Sequence, residues 1–156
     1  MKSTVVASGI VFLILFSGAH WLLSNNLLPE SWIWVGLAVA LVVVNYIVGR
    51  SYKVSEQIKS MWMLACIFGF VLTLAAAAAI VQVPLPLLLV VWLLLHGAAI
   101  AVGGFDAKRP LDMFLGVLLL FSALFVPSLG AQYLLGGAIM FGFLFVLYGY
   151  FIEEKA

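Results

Sequence analysis

The sequence predicts an all-α, polytopic transmembrane bundle: six spans arranged as three hairpins in a single domain (residues 1–156), with both termini cytoplasmic. Three observations predict it: the composition, the spacing of apolar runs between prolines, and the one-sided placement of basic residues. The 156-residue chain is 67% hydrophobic and only 8% charged, with mean hydropathy +1.30. Soluble domains are about 45–50% apolar and about 25% charged. A soluble fold of this length buries only about 70% of its unfolded surface, so this much apolar surface requires lipid.

A spanning helix needs about 20 mostly apolar residues. On that rule the first span runs from Thr4 to Ser24. Its Lys2, apolar core and "SGA" also fit a cleaved signal peptide, but the apolar run is long for one. The second runs from Trp32 to Gly49, the third from Met61 to Gln82 and the fourth from Leu85 to Gly103. The fifth, Leu111 to Val126, is short, and the sixth runs from Gln132 to Ile152. Proline interrupts helical hydrogen bonding, and all five prolines (Pro29, Pro84, Pro86, Pro110, Pro127) fall at proposed ends. Pro110 suits the first turn of the fifth helix, where a missing N–H costs nothing. Tight turns at "NNLLPES", "VPLP" and "VPSLGAQ" close the three hairpins.

Charge orients the bundle. With six spans, Lys2, Arg50, Lys53, Lys59, Lys108, Arg109 and Lys155 all fall on one side. Basic residues stay on the cytoplasmic side, so a multi-pass cell-membrane protein with cytoplasmic termini is expected. A five-span alternative would put the termini on opposite sides and spoil this pattern. "IVGRSYK", "AVGGFDAKR" and "LYGYFIEEK" close the even-numbered helices alike, which fits either hairpin triplication or the general abundance of glycine in membrane helices.

The function classes narrow by what is absent. The net charge of +1 points to no nucleic acid. The chain has one cysteine, Cys66, so no internal disulfide and no cysteine-rich zinc site is possible. The spans are read as free of Asp, Glu, Lys and Arg, whose intramembrane presence marks ion paths and proton relays. No nucleophile motif, paired carboxylates or phosphate loop appears. The reading leans away from an enzyme, and no cofactor and no metal site is predicted.

What remains is a short set of polar side chains. His96 lies in the inner half of the fourth span and His20 near the outer end of the first. Their depths differ by over about 10 Å, which disfavours one shared metal or haem. His96 is kept as a candidate cofactor ligand, beside the plainer reading of a neutral imidazole bonded across a helix interface. Asn45, Thr73 and His96 form the candidate ligand-binding set. If the second and fourth spans touch, the similar depth of Asn45 and His96 would let the two hydrogen-bond. Small residues (Gly97, Ala101 and Gly104; Ala75 to Ala79; Ala138 and Gly142) predict close helix packing, inside the bundle or against another chain. Trp21, Trp32, Trp34, Trp62, Tyr52, Tyr148 and Tyr150 are expected to form interfacial belts.

The expected function is that of a small non-catalytic membrane protein, an accessory subunit or homo-oligomeric bundle, whose partners are membrane lipid and partner helices. The alternatives are a small permease or channel for a neutral or amphipathic solute, and a haem- or quinone-binding redox subunit.

Overall fold

The computed structural model describes residues 2–51 and 55–151. It is all-helical: α1 (Lys2–Ser24), α2 (Glu30–Ser51), α3 (Glu56–Ala77), α4 (Pro86–Asp106) and α5 (Pro110–Ala123) are followed by a 3-10 segment, Val126–Gln132. A sixth rod then runs through α6 (Tyr133–Gly137), a π-helical turn (Ala138–Phe143) and α7 (Leu144–Phe151). Backbone angles at both junctions of the π turn stay helical, so the rod is continuous. Five stretches are long and apolar enough to cross a membrane, and α5 is a shorter apolar helix. The sequence reading of Lys53, Tyr52, Lys155 and Ile152 lies outside the described residues.

The predicted prolines do their work. Pro86 and Pro110 open α4 and α5, and the Pro29 carbonyl accepts from Trp32 and Ile33 N–H at 3.1 and 3.2 Å to start α2. The third span is shifted from the sequence reading by about one turn and a half. It starts at Glu56 because the Ser55 hydroxyl caps Ile58 N–H (3.4 Å) and Glu56 sits in the positive first turn. It stops at Ala77 because Ala79 takes φ +56°, and Ile80 N–H and Ala79 N–H close back on the Ala75 and Ala76 carbonyls. This is the paired-bond cap that glycine usually makes. Asn26 (φ +52°) and Lys108 (φ +52°) end α1 and α4 with the same pair of bonds. The fifth span closes at Ala123 rather than Val126, since the chain tightens into the 3-10 segment and turns at Gly130 (φ +54°).

At Gly97, Gly104 and Gly142 the small residues pack inside the bundle, whereas Ala78 and Ala79 of the alanine run are exposed. A methyl added at Gly97 of α4 would sit 2.8 Å from the Gly116 carbonyl oxygen of α5, and one at Gly104 would sit 2.5 Å from Met113 N. A methyl at Gly142 of the π turn would lie 2.8 Å from the Leu13 backbone of α1. Lipid supplies no hydrophobic drive between helices, so such close backbone approach is what holds a bundle together. The short turns join α1 to α2 and α3 to α4 in order. The most intimate packing nevertheless runs α4 against α5, α2 against α3, and α1 against the sixth rod. Along that last seam Phe12, Phe16, Phe141 and Phe145 form an aromatic core with ring centroids 5.8–6.5 Å apart.

The belt reading needs correction at two positions. Trp21, Trp32 and Tyr150 are 59–67% exposed, as interfacial anchors should be, but Trp34 and Tyr148 are buried. Trp34 stacks on Tyr133 (centroids 6.1 Å, planes at 11°), and its indole N–H donates to Tyr133 Oη at 2.8 Å. Tyr133 donates in turn to Glu30 at 2.5 Å.

Candidate functional site

A cavity of about 330 Å³ opens in the half of the bundle that carries Arg50 and Lys59. Its walls come chiefly from α2, α3 and α4 and are mostly aliphatic and aromatic; Val5 of α1, Leu115 of α5, and Phe145 and Tyr148 of α7 complete them. The volume falls within the roughly 300–1,000 Å³ of small-molecule sites, which pair apolar walls with a few polar groups. Tyr46 on α2 and Met63 on α3 both line it and are 46% and 40% exposed. The cavity therefore reaches the lipid-facing surface between these two helices.

The polar groups on the deep side are Asn45 and His96. Asn45 Nδ2 lies 2.6 Å from His96 Nε2 and 2.5 Å from the Leu41 carbonyl oxygen. His96 Nδ1 lies 2.8 Å from the Trp92 carbonyl oxygen. Carbonyl oxygens only accept, which fixes the assignment: Nδ1 of His96 carries its hydrogen, Nε2 holds the lone pair, and the Asn45 amide donates to it. The imidazole is neutral with both nitrogens engaged. Its ring is held between Trp92 (centroids 5.4 Å) and the edge-on ring of Phe141 (5.1 Å). The contact predicted between Asn45 and His96 is thus present.

Thr73 sits elsewhere. It is fully buried and does not line the cavity. Its hydroxyl donates to the Gly69 carbonyl (2.7 Å) and accepts from Trp92 Nε1 (3.1 Å), so it locks the indole that backs His96. Gly69 makes room for that indole, since an added methyl would stand 3.0 Å from the Trp92 ring. Trp62 binds α3 to α4 by donating to the Ala99 carbonyl at 2.7 Å and lying over Gly103.

At the rim, Glu56 and Lys59 pair at 2.8 Å. Arg50 folds back one turn along α2, its guanidinium carbon 4.7 Å from the centre of the Tyr46 ring. Such a stacked cation gains about 0.5–1 kcal/mol where exposed. Beside the cavity, the Tyr148 hydroxyl donates to Asp112, and Arg109 Nη1 stands 3.9 Å from the other carboxylate oxygen.

Asp112 corrects the reading that the spans are free of charge. It lies in the first turn of α5 and is only 3% exposed. It already falls within the fifth span as read, Leu111 to Val126, so this charge is legible in the sequence. Nothing in the linear pattern shows that Tyr148, 36 residues later, comes down on it. Arg50 and Cys66 were also missed as cavity residues. Among the described residues, no three His, Cys, Asp or Glu side chains converge where they could hold a metal. His20 binds locally, its Nε2 3.4 Å from Ser24 Oγ, beside exposed Trp21. Compared with protein-family models, curated proteins and solved structures, the chain matches none.

Proposed function

We propose that the chain is a non-catalytic multi-pass protein of the cell membrane, with both termini cytoplasmic, whose cavity holds an amphipathic, lipid-like molecule. The observation that carries the reading is the cavity itself: apolar walls, a charged rim, one polar pair on its deep side, and a side opening to lipid between α2 and α3. The orientation rests on Arg50, Lys59, Lys108 and Arg109 lying at helix ends on one side, which the positive-inside rule places in the cytoplasm.

Two features favour binding over conduction or redox chemistry. The opposite half of the bundle is filled by fully buried side chains, including Trp34, Trp92, Leu88 and Leu93, which supports a pocket with a closed end. The His96 lone pair is occupied by Asn45, so axial ligation of a haem would require breaking that bond. The test is extraction and mass spectrometry of small molecules from protein purified out of its native membrane in mild detergent. A lipid-like species at near-stoichiometric amount is expected. Protein that carries none, and that takes up none from added lipid, would refute the reading.

A further inference from the structure

Three features of this cavity, two polar groups and one opening, are not accounted for by packing. The first is the Asn45 side-chain oxygen. The Asn45 amide nitrogen is committed to Leu41 and His96, and the oxygen accepts no hydrogen bond among the described residues. It is not sealed in the interior either, where His20 Nδ1 is the lone unsatisfied atom among those residues. It therefore keeps exposed surface, on a residue that lines the cavity. The second is Arg50, which faces no carboxylate within ion-pair distance among the described residues and is held only by the Tyr46 ring. Arg50 is exposed, and its guanidinium folds back along α2 toward the level of Asn45. The third is the gap beside Tyr46 and Met63, through which a chain can leave toward lipid. Glu56 at the rim does not oppose an anion strongly, because Lys59 neutralises it at 2.8 Å.

An acceptor and a cation spaced within one or two helical turns, beside an exit to lipid, describe a complementary headgroup. Resting on the reading above that the cavity holds an amphiphile, we infer that the occupant is an acidic phospholipid whose headgroup carries a hydroxyl. Its phosphate meets the Arg50 guanidinium, whose planar fork matches phosphate oxygens. Its hydroxyl donates to Asn45 Oδ1. At about 330 Å³ the cavity takes the headgroup and the start of one chain, and the remainder lies in the bilayer beyond Tyr46 and Met63.

The test uses four lipids with identical dioleoyl tails, added to delipidated full-length protein, with occupancy read by native mass spectrometry. Phosphatidylglycerol has both anion and hydroxyl, phosphatidylmethanol only the anion, diacylglycerol only the hydroxyl, and phosphatidylcholine has no net charge and no donor. Phosphatidylglycerol should be retained about tenfold over diacylglycerol and phosphatidylcholine, the effect of one charge-assisted hydrogen bond, with phosphatidylmethanol between. Arg50→Gln should abolish that preference, whereas Lys108→Gln, at an exposed turn outside the cavity, should leave it intact. Equal retention of phosphatidylglycerol and diacylglycerol, or a preference that survives Arg50→Gln, would overturn the anion assignment. Equal retention of phosphatidylglycerol and phosphatidylmethanol would overturn the Asn45 contact. Binding of none of the four would overturn the underlying amphiphile reading instead, so the two failures are distinguishable.

Discussion

The same substitution, glycine to alanine, should have opposite effects at two positions of this bundle. At Gly36 of α2 nothing stands within 4 Å of an added methyl. The change removes the conformational cost of a mid-helix glycine, about 0.5–1 kcal/mol, and Gly36→Ala should be stabilising by up to that amount. At Gly97 of α4 the methyl would meet the Gly116 carbonyl oxygen at 2.8 Å and Leu120 N at 2.9 Å. These are backbone atoms of α5 and cannot swing away. Ordinary contact needs about 3.5 Å or more, so the two helices must part by roughly 0.7 Å. A gap of that size forfeits about a quarter to a half of each contact energy along the seam. Overpacking of this kind costs about 1–3 kcal/mol, which exceeds the helix-propensity gain, so Gly97→Ala should be destabilising by about 0.5–2 kcal/mol. Reversible unfolding of the two variants in mixed micelles, followed by tryptophan fluorescence, measures both signs. A neutral Gly97→Ala would refute the close α4–α5 seam. A strongly destabilising Gly36→Ala would show that this outward face is packed against something, contrary to its open surroundings.

Three further outcomes are expected. Thr73→Val keeps shape but leaves the buried Trp92 N–H without its acceptor; it should destabilise by about 1–2 kcal/mol in the same unfolding assay, with Thr73→Ser restoring most of the loss, and a Val variant as stable as wild type would remove Thr73 from this role. Tyr133→Phe deletes the hydroxyl that accepts from Trp34 and donates to Glu30; a loss of about 1–3 kcal/mol and a change in Trp34 emission are expected, and neither would occur if the network does not form. Ala79→Gly relieves a left-handed backbone (φ +56°) at an exposed cap; stability should rise by about 1 kcal/mol, and a fall would contradict the cap geometry.

The fold was largely readable because its causes are local. Proline and basic residues mark helix ends one at a time, so Pro86, Pro110 and the "KR" pair could be placed without knowing any neighbour. The meeting of Asn45 and His96 was also accessible, since equal depth in a bundle is a one-dimensional quantity. What could not be read was azimuth. Thr73 and Asn45 are both polar residues within apolar helices, yet one turns to Trp92 and the other to the cavity, and that choice depends on how α3 and α2 are rotated. Trp34 and Tyr148 look like belt aromatics for the same reason: their depth is right and their direction is inward. The end of α3 was misplaced because five consecutive alanines, Ala75 to Ala79, are the best helix formers available. The chain turns there by putting one of them in a conformation that alanine rarely adopts.

The π turn in the sixth rod has a consequence for angular phase. Each residue advances a helix by about 100°, so one surplus residue in Ala138–Phe143 offsets everything after it by that angle relative to an uninterrupted α-helix. Phe145 and Tyr148 lie downstream. With the surplus residue they face the cavity and Asp112. Without it they would point roughly a quarter turn away, while Tyr133 and Leu134 upstream stayed in place. The rod thus carries two independently indexed halves: one set against Trp34 at one face of the membrane, the other against the cavity at the opposite face. A single-residue deletion within the turn would shift the second without disturbing the first.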